Sequence, residues 1–206
     1  MVDRLTWEKE VRKTIDKIKT HKKKYSVEVN GIKIHIFPNV FSPAYFTDSN
    51  WIASAVSKIV GKHSLLEIGT GTGIIALFAA LKGAKVTVTD INPEAIKNAK
   101  YNFEKQGLKL KAYSGDMYAP VPAQDKFDFI FWNHPWGYAN PRYGEVLQKS
   151  VFDYKYSGLK KYVEGAKSHL KPSGRLLLAT SNFALSSEIE KIAAENCYKI
   201  KLLKEK

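Results

Sequence analysis

Apolar residues recur along this chain in two rhythms. Trp7, Val11, Ile15 and Ile18 fall at i, i+4, i+8 and i+11, one stripe of an amphipathic helix over residues 3–20. His21-Lys22-Lys23-Lys24 ends it. The period then shortens to two. Tyr25 to Phe37 reads as two alternating runs split by Asn30-Gly31, a pair suited to a two-residue hairpin turn, and Pro38 stops the second run. From residue 50 short apolar runs alternate with helical patterns. Helices are predicted over 51–60, 73–81, 93–103, 155–170 and 186–196, and strands over 64–68, 85–89, 108–113, 127–132, 175–180 and 198–203. Pro93 sits just inside a helix start, and Lys171-Pro-Ser-Gly174 is a turn. Residues 137–153, rich in Tyr, Gly and Asn, are expected to be irregular. Strands alternating with helices predict a doubly wound, mostly parallel α/β sheet with helices on both faces. The expected division is a helix-and-hairpin extension over 1–37 and an α/β domain over 38–206.

Composition narrows the possibilities. The chain has 206 residues, 44% of them hydrophobic, enough to bury a real core. Cys197 is the single cysteine, so no intramolecular disulfide and no cysteine-only zinc site can form, and no metal is expected. No apolar run approaches the ~18 residues of a membrane span, and Asp3, Arg4 and Glu8 leave no signal-peptide core, so the cytoplasm is the expected location. The net charge is +13, and it gathers at the ends. Residues 1–24 carry nine basic and four acidic side chains, and residues 197–206 four lysines and one glutamate. Such a balance favours polyanionic partners.

The candidate chemistry lies where strands end. Right-handed crossovers put all strand C-termini of such a sheet on one edge. Gly69, Asp90, Asp116 and Asn133 each fall at or just past such an end. Residues 65–75 read Leu-Leu-Glu67-Ile-Gly69-Thr70-Gly71-Thr-Gly73-Ile-Ile. The glycines permit positive φ and a close approach of ligand to bare backbone. The nicotinamide fingerprint wants Gly at the place of Ile74, which argues against a nicotinamide oxidoreductase. Asp90, at the end of the next strand, suits the paired hydroxyls of a ribose.

Glu-x-Gly-x-Gly-x-Gly resembles the first motif of the class I S-adenosylmethionine-dependent methyltransferases, which have a Rossmann-like sheet. The resemblance implies S-adenosyl-L-methionine as cofactor and S-adenosyl-L-homocysteine as product. It assigns cofactor contacts to Glu67, Gly69, Thr70, Gly71, Gly73, Asp90, Ile91, Asp116 and Met117. Segment 40–49 is similar to the stretch before that motif in the small-domain and release-factor-type members, which implies contacts from Thr47 and Asp48. Asp48 or Ser49 also reads as a helix N-cap.

Asn133-His134-Pro135-Trp136 resembles the Asn-Pro-Pro-Tyr motif of members that methylate planar amine or amide nitrogens, with His134 in place of the first proline. A conjugated NH₂ is a poor nucleophile. Two acceptors, the Asn133 side-chain oxygen and a carbonyl of the Asn133-His134 stretch, would hold its hydrogens and free the lone pair. Pro135 restricts His134, Trp136 offers a stacking face, and His134 is either a silent variant or a proton acceptor. Asn133 also borders the cofactor. Tyr138, Asn140, Arg142 and Tyr143 stand where an acceptor lid is expected. The reading is an N-methyltransferase acting on RNA, a ribosome-associated protein or its glutamine, or a small molecule, as a monomer or weak dimer with no membrane partner. The alternative is a non-catalytic binding protein of the same fold with a basic nucleic-acid-binding surface. The resemblance also implies two closing strands, whereas only 198–203 is available. Either the sheet has six strands or the N-terminal hairpin fills its edge.

Overall fold

A computed structural model describes residues 3–206. The chain opens with α1 (Arg4–Thr20), whose first turn is capped by the Asp3 carboxylate accepting from the Thr6 N–H at 3.0 Å. The hairpin follows as β1 (Tyr25–Val29) and β2 (Ile32–Ile36), turned by Asn30 and Gly31 at φ 48° and 78°. Next come α2 (Asp48–Val60), β3 (Ser64–Ile68), α3 (Ile74–Leu81), β4 (Lys85–Asp90) and α4 (Pro93–Lys105). The chain continues through β5 (Lys111–Ser114), β6 (Phe127–Asn133), α5 (Ser157–Ala166), β7 (Leu170–Ala179) and α6 (Ser186–Glu195).

Strands β3 to β7 form one parallel sheet in the order β5-β4-β3-β6-β7. Alternate side chains feed two cores, as the pleat requires. Leu65, Val88, Phe131 and Leu177 pack with α2, α3 and α4. Leu66, Ile68, Ile130 and Trp132 pack with α5 and α6. A third cluster joins Val11, Ile15 and Ile18 of α1 to Leu147, Val151 and Phe152. The chain reverses its direction of travel across the sheet between β3 and β6, and the crevice beyond their C-terminal ends is where such sheets take ligands.

Several boundaries and one whole strand differ from expectation. Residues 198–203 form no strand. Ile200 and Leu202 are exposed there, and the sheet has five strands rather than six. The hairpin does not fill the edge either, because it is a separate two-stranded sheet held on α4. The cause is a pair of buried asparagines. Asn102 accepts from the His35 N–H and Asn98 from the Phe37 N–H, while both amides donate to the His35 carbonyl. These bonds satisfy the free edge of β2 without another strand. The turn at 171–174 is instead a bulge inside β7, where the pairing with β6 slips between Phe127 and Phe129. β5 begins only at Lys111, because the Leu108 N–H still closes α4 on the Phe103 carbonyl. α5 begins at Ser157, after Lys155 and Tyr156 have turned to φ 52° and 49°. Among the described residues no helix is long and apolar enough to cross a membrane.

Candidate functional site

A cavity of about 430 Å³ opens beyond the ends of β3, β4 and β6, within the size range of small-molecule sites. Its floor is the turn after β3. Gly69, Gly71 and Gly73 take φ of 65°, 56° and 79°, a region that side chains with a Cβ resist. Two of them are also short of room. A Cβ on Gly69 would stand 3.0 Å from Trp132 Nε1, and one on Gly73 would stand 2.8 Å from the Ala99 Cβ.

Two carboxylates brace this turn. Glu67 is almost fully buried, and its Oε2 accepts from Thr70 Oγ1 at 2.8 Å and from the Ala76 N–H at 3.1 Å. Burial pushes its pKa up to about 8, with the nearby Asp90 adding to the rise. Asp90 accepts from the Gly71 N–H at 2.9 Å and the Asn92 N–H at 2.8 Å, and burial lifts its pKa to about 6. Each oxygen keeps a further lone pair, so the group can still receive ribose hydroxyls. Ile91 lies exposed on the rim, a flat apolar flank for a base. Asp116 borders the same cavity with its Oδ2 held by Lys161 Nζ at 2.7 Å, and Met117 beside it sits at φ 48°. Of the residues expected to hold a cofactor, Glu67, Gly69, Thr70, Gly71, Asp90, Ile91, Asp116, Met117 and Asn133 line the cavity. Gly73 stands just behind, shaping the turn.

The second motif divides. Asn133, the last residue of β6, lines the cavity, and its Oδ1 is buried with no hydrogen-bond partner. A buried acceptor of this kind is costly unless a donor reaches it. Pro135 also lines the cavity. The His134 ring does not. It is buried against Trp132 and Tyr156, with Nε2 3.1 Å from Thr180 Oγ1, and burial drives its pKa down to about 3. The ring is a neutral packing element at physiological pH, and the geometry gives it no proton to take from the cavity. Trp136 lies outside the lining as well, and its carbonyl accepts from the Tyr156 hydroxyl at 2.9 Å. A stacking role for its ring is not what this geometry shows.

Thr47 and Asp48, expected over the cofactor, do not line the cavity; Phe41, Pro43 and Ser49 of the same stretch do. Neither Asp48 nor Ser49 is the N-cap, since α2 starts at Asp48 and Thr47 precedes it without a side-chain cap. The helix phase decides this, turning Ser49 inward. Residues absent from the sequence reading complete the wall: Trp132, Leu147, Phe152, Asp153 and Lys161. Asp153 carried a usable signal, an acidic residue just ahead of a helix. Its carboxylate accepts from the Gly158 and Leu159 N–H groups, each at 2.9 Å. Of the expected lid residues, Asn140 borders the cavity, while Tyr138, Arg142 and Tyr143 do not.

This arrangement suits a nucleoside carrying a cationic amino acid moiety. A glycine cradle admits its backbone-hugging part, the Asp90 carboxylate can receive hydroxyls, and the unpartnered Asn133 oxygen asks for an N–H donor.

Comparison with known proteins agrees. A family model described as "Methyltransferase small domain" matches residues 31–202. A provisionally named protein N5-glutamine methyltransferase of Methanocaldococcus jannaschii is 38% identical over 111 residues, which are 53% of this chain and 54% of that one. Ribosomal RNA small subunit methyltransferase C of Haemophilus influenzae is 27% identical over 159 residues, 75% of this chain and 43% of its own length. The structure of the T. thermophilus 16S rRNA N2 G1207 methyltransferase, in complex with AdoMet and guanosine, superposes with a TM-score of 0.60 at 22% identity. It covers 82% of this chain and 44% of that one. This chain spans about half the length of the curated relatives it matches.

Proposed function

This chain belongs to the methyltransferase small-domain family, and on that premise we propose that it is an S-adenosylmethionine-dependent N-methyltransferase for a conjugated NH₂ group. The acceptor is a nucleobase of RNA or a protein glutamine amide; the two present the same chemistry to the site. The single observation that carries the reading is Asn133, which lines a nucleoside-sized cavity and whose Oδ1 is buried without a hydrogen-bond partner.

S-adenosylmethionine, when bound, supplies a methyl group on a positively charged sulfur that leaves as a neutral thioether. Gly69 and Gly71 would leave room for it, Asp90 would receive the ribose hydroxyls, and Glu67 would stabilise the turn from beneath. Asn133 Oδ1 would hold one hydrogen of the acceptor NH₂ and a carbonyl of the Asn133-His134 stretch the other, which together turn the nitrogen lone pair out of conjugation. Catalysis is then positioning, with reacting atoms held in line. The nitrogen gives up its proton to water after attack, because the His134 ring lies outside the cavity and burial has lowered its basicity.

The test uses tritiated S-adenosylmethionine with fractionated cell extract, followed by nuclease or protease digestion of the labelled product. Label released by nuclease identifies RNA; label released by protease identifies protein. Failure of S-adenosylhomocysteine to bind at millimolar concentration in calorimetry overturns the reading.

A further inference from the structure

We propose that α1 is a built part of the acceptor side of the cavity and that Arg12 is its positioning residue. The inference rests on the reading that the Asn133 side receives the acceptor. One wall of the cavity beside the end of β6 is made by residues of 140–153, an irregular stretch that includes Asn140, Leu147 and Phe152. Arg12 grips this stretch at three points. Its Nη1 donates to Gln148 Oε1 at 2.7 Å, its Nη2 donates to the Asn140 carbonyl at 2.9 Å, and its guanidinium lies 4.0 Å from the Phe152 ring centroid. Gln148 is fully buried and Phe152 nearly so. A planar fork that bonds two acceptors while covering an aromatic face is what arginine supplies and lysine does not.

The grip is passed on toward the motif. The Gly137 N–H donates to the Val151 carbonyl and the Asp153 N–H to the Gly137 carbonyl, both at 2.8 Å. A Cβ on Gly137 would stand 2.4 Å from Phe152, so the two segments are in close contact. Gly137 lies four residues after Asn133. A continuous path of packed groups therefore runs from Arg12 through Phe152 to the end of β6. The rest of α1 supports it. Val11, Ile15 and Ile18 pack on Leu147, Val151 and Phe152, and Trp7 stacks on Phe183 with ring centroids 5.1 Å apart. The basic N-terminal helix is thus the outer brace of the acceptor wall.

Limited trypsin digestion of the full chain, read by mass spectrometry, tests this in wild type, Arg12→Ala and Arg12→Lys. Arg12→Ala should raise cleavage after Arg142 and Lys149 about tenfold, the loss of charge-assisted bonds that hold the stretch closed. Cleavage after Lys33 and Lys191 should stay as in wild type, and Arg12→Lys should fall between. S-adenosylhomocysteine affinity should stay within about twofold, because the donor wall is braced separately. With guanosine and a glutamine-bearing peptide as acceptor probes, the probe methylated by wild type should show a raised acceptor KM and an unchanged donor KM. Unchanged loop cleavage, or cleavage rising equally at all four sites, overturns the proposal. Failure of wild type to bind S-adenosylhomocysteine would instead overturn the reading of the cavity, and the cleavage pattern would still decide the role of Arg12.

Discussion

The two walls of the cavity are held by opposite means. On the donor side the turn after β3 ties itself. Glu67 reaches Thr70 and Ala76, Asp90 reaches Gly71 and Asn92, and the Thr70 N–H bonds to the Thr89 carbonyl. Every partner lies within about one strand-helix-strand unit. On the acceptor side the partners are far apart in sequence: Arg12 meets Gln148 across 136 residues and Asn140 across 128. Each side keeps a buried polar atom without a partner, Thr89 Oγ1 at the end of β4 and Asn133 Oδ1 at the end of β6. A wall tied within one short unit is set as soon as that unit folds. A wall tied across the chain is set only when distant segments meet.

The contrast breaks most visibly at Asn133. Asn133→Ala should cut methyl transfer by about a hundredfold or more, the scale of losing one oriented polar contact to reacting atoms, while S-adenosylhomocysteine affinity measured by calorimetry survives. Near wild-type turnover would remove Asn133 from the mechanism.

Rigidity of the donor wall is tested next. Gly73→Ala forces a Cβ to 2.8 Å from Ala99 at a φ of 79°. Unfolding in urea should show a loss of about 2–4 kcal/mol, from left-handed backbone strain plus overpacking. A loss of only a few tenths would mean that the turn is softer than described.

A subtler probe is pH. Glu67 has a folded pKa of about 8 against an ordinary value of 4.5, so between these the native state keeps a proton that the unfolded state releases. Stability of the free protein therefore falls as pH rises across that window. Asp90, at about 6, adds to the fall below pH 6. Glu67→Gln cannot titrate and should flatten the pH 6–8 part of a plot of urea midpoint against pH. A slope unchanged in the variant would assign the effect elsewhere.

The smallest effect belongs to the surface of the acceptor brace. Asp16 pairs with Arg142 at 3.0 Å, both side chains about half exposed. Asp16→Ala should cost less than ~1 kcal/mol and leave transfer kinetics unchanged. A larger loss would move the brace from Arg12 and its apolar neighbours to the exposed ion pair.

The same contrast explains what the chain revealed in advance. The hairpin, the glycine turn and the alternation of strands with helices rest on patterns a few residues long, and the structure repeats them closely. So does the convergence of Glu67, Asp90, Asp116 and Asn133 on one cavity. Residues 198–203 show how a local pattern misleads. Alternating lysines and aliphatics suit a strand, but a strand needs a neighbour, and none lies beside them. Thr47 and Asp48 were displaced by Ser49 because helix phase, not residue type, selects the inward side chain. His134 and Trp136 stood in the right motif, yet the Tyr156 ring and hydroxyl, twenty residues on, engage that stretch from behind the cavity. The role of α1 was illegible for the plainest reason: its contacts with the cavity wall are all long-range.

That distance also has a consequence in time. During synthesis α1 leaves the ribosome about 130 residues ahead of the stretch it grips, a wait of roughly six to twenty-six seconds at ordinary elongation rates. Until then its apolar stripe has no cover from that stretch. The turn after β3 has all its bracing partners far earlier, once Asn92 has emerged, so the two walls of one cavity are synthesised well apart in time.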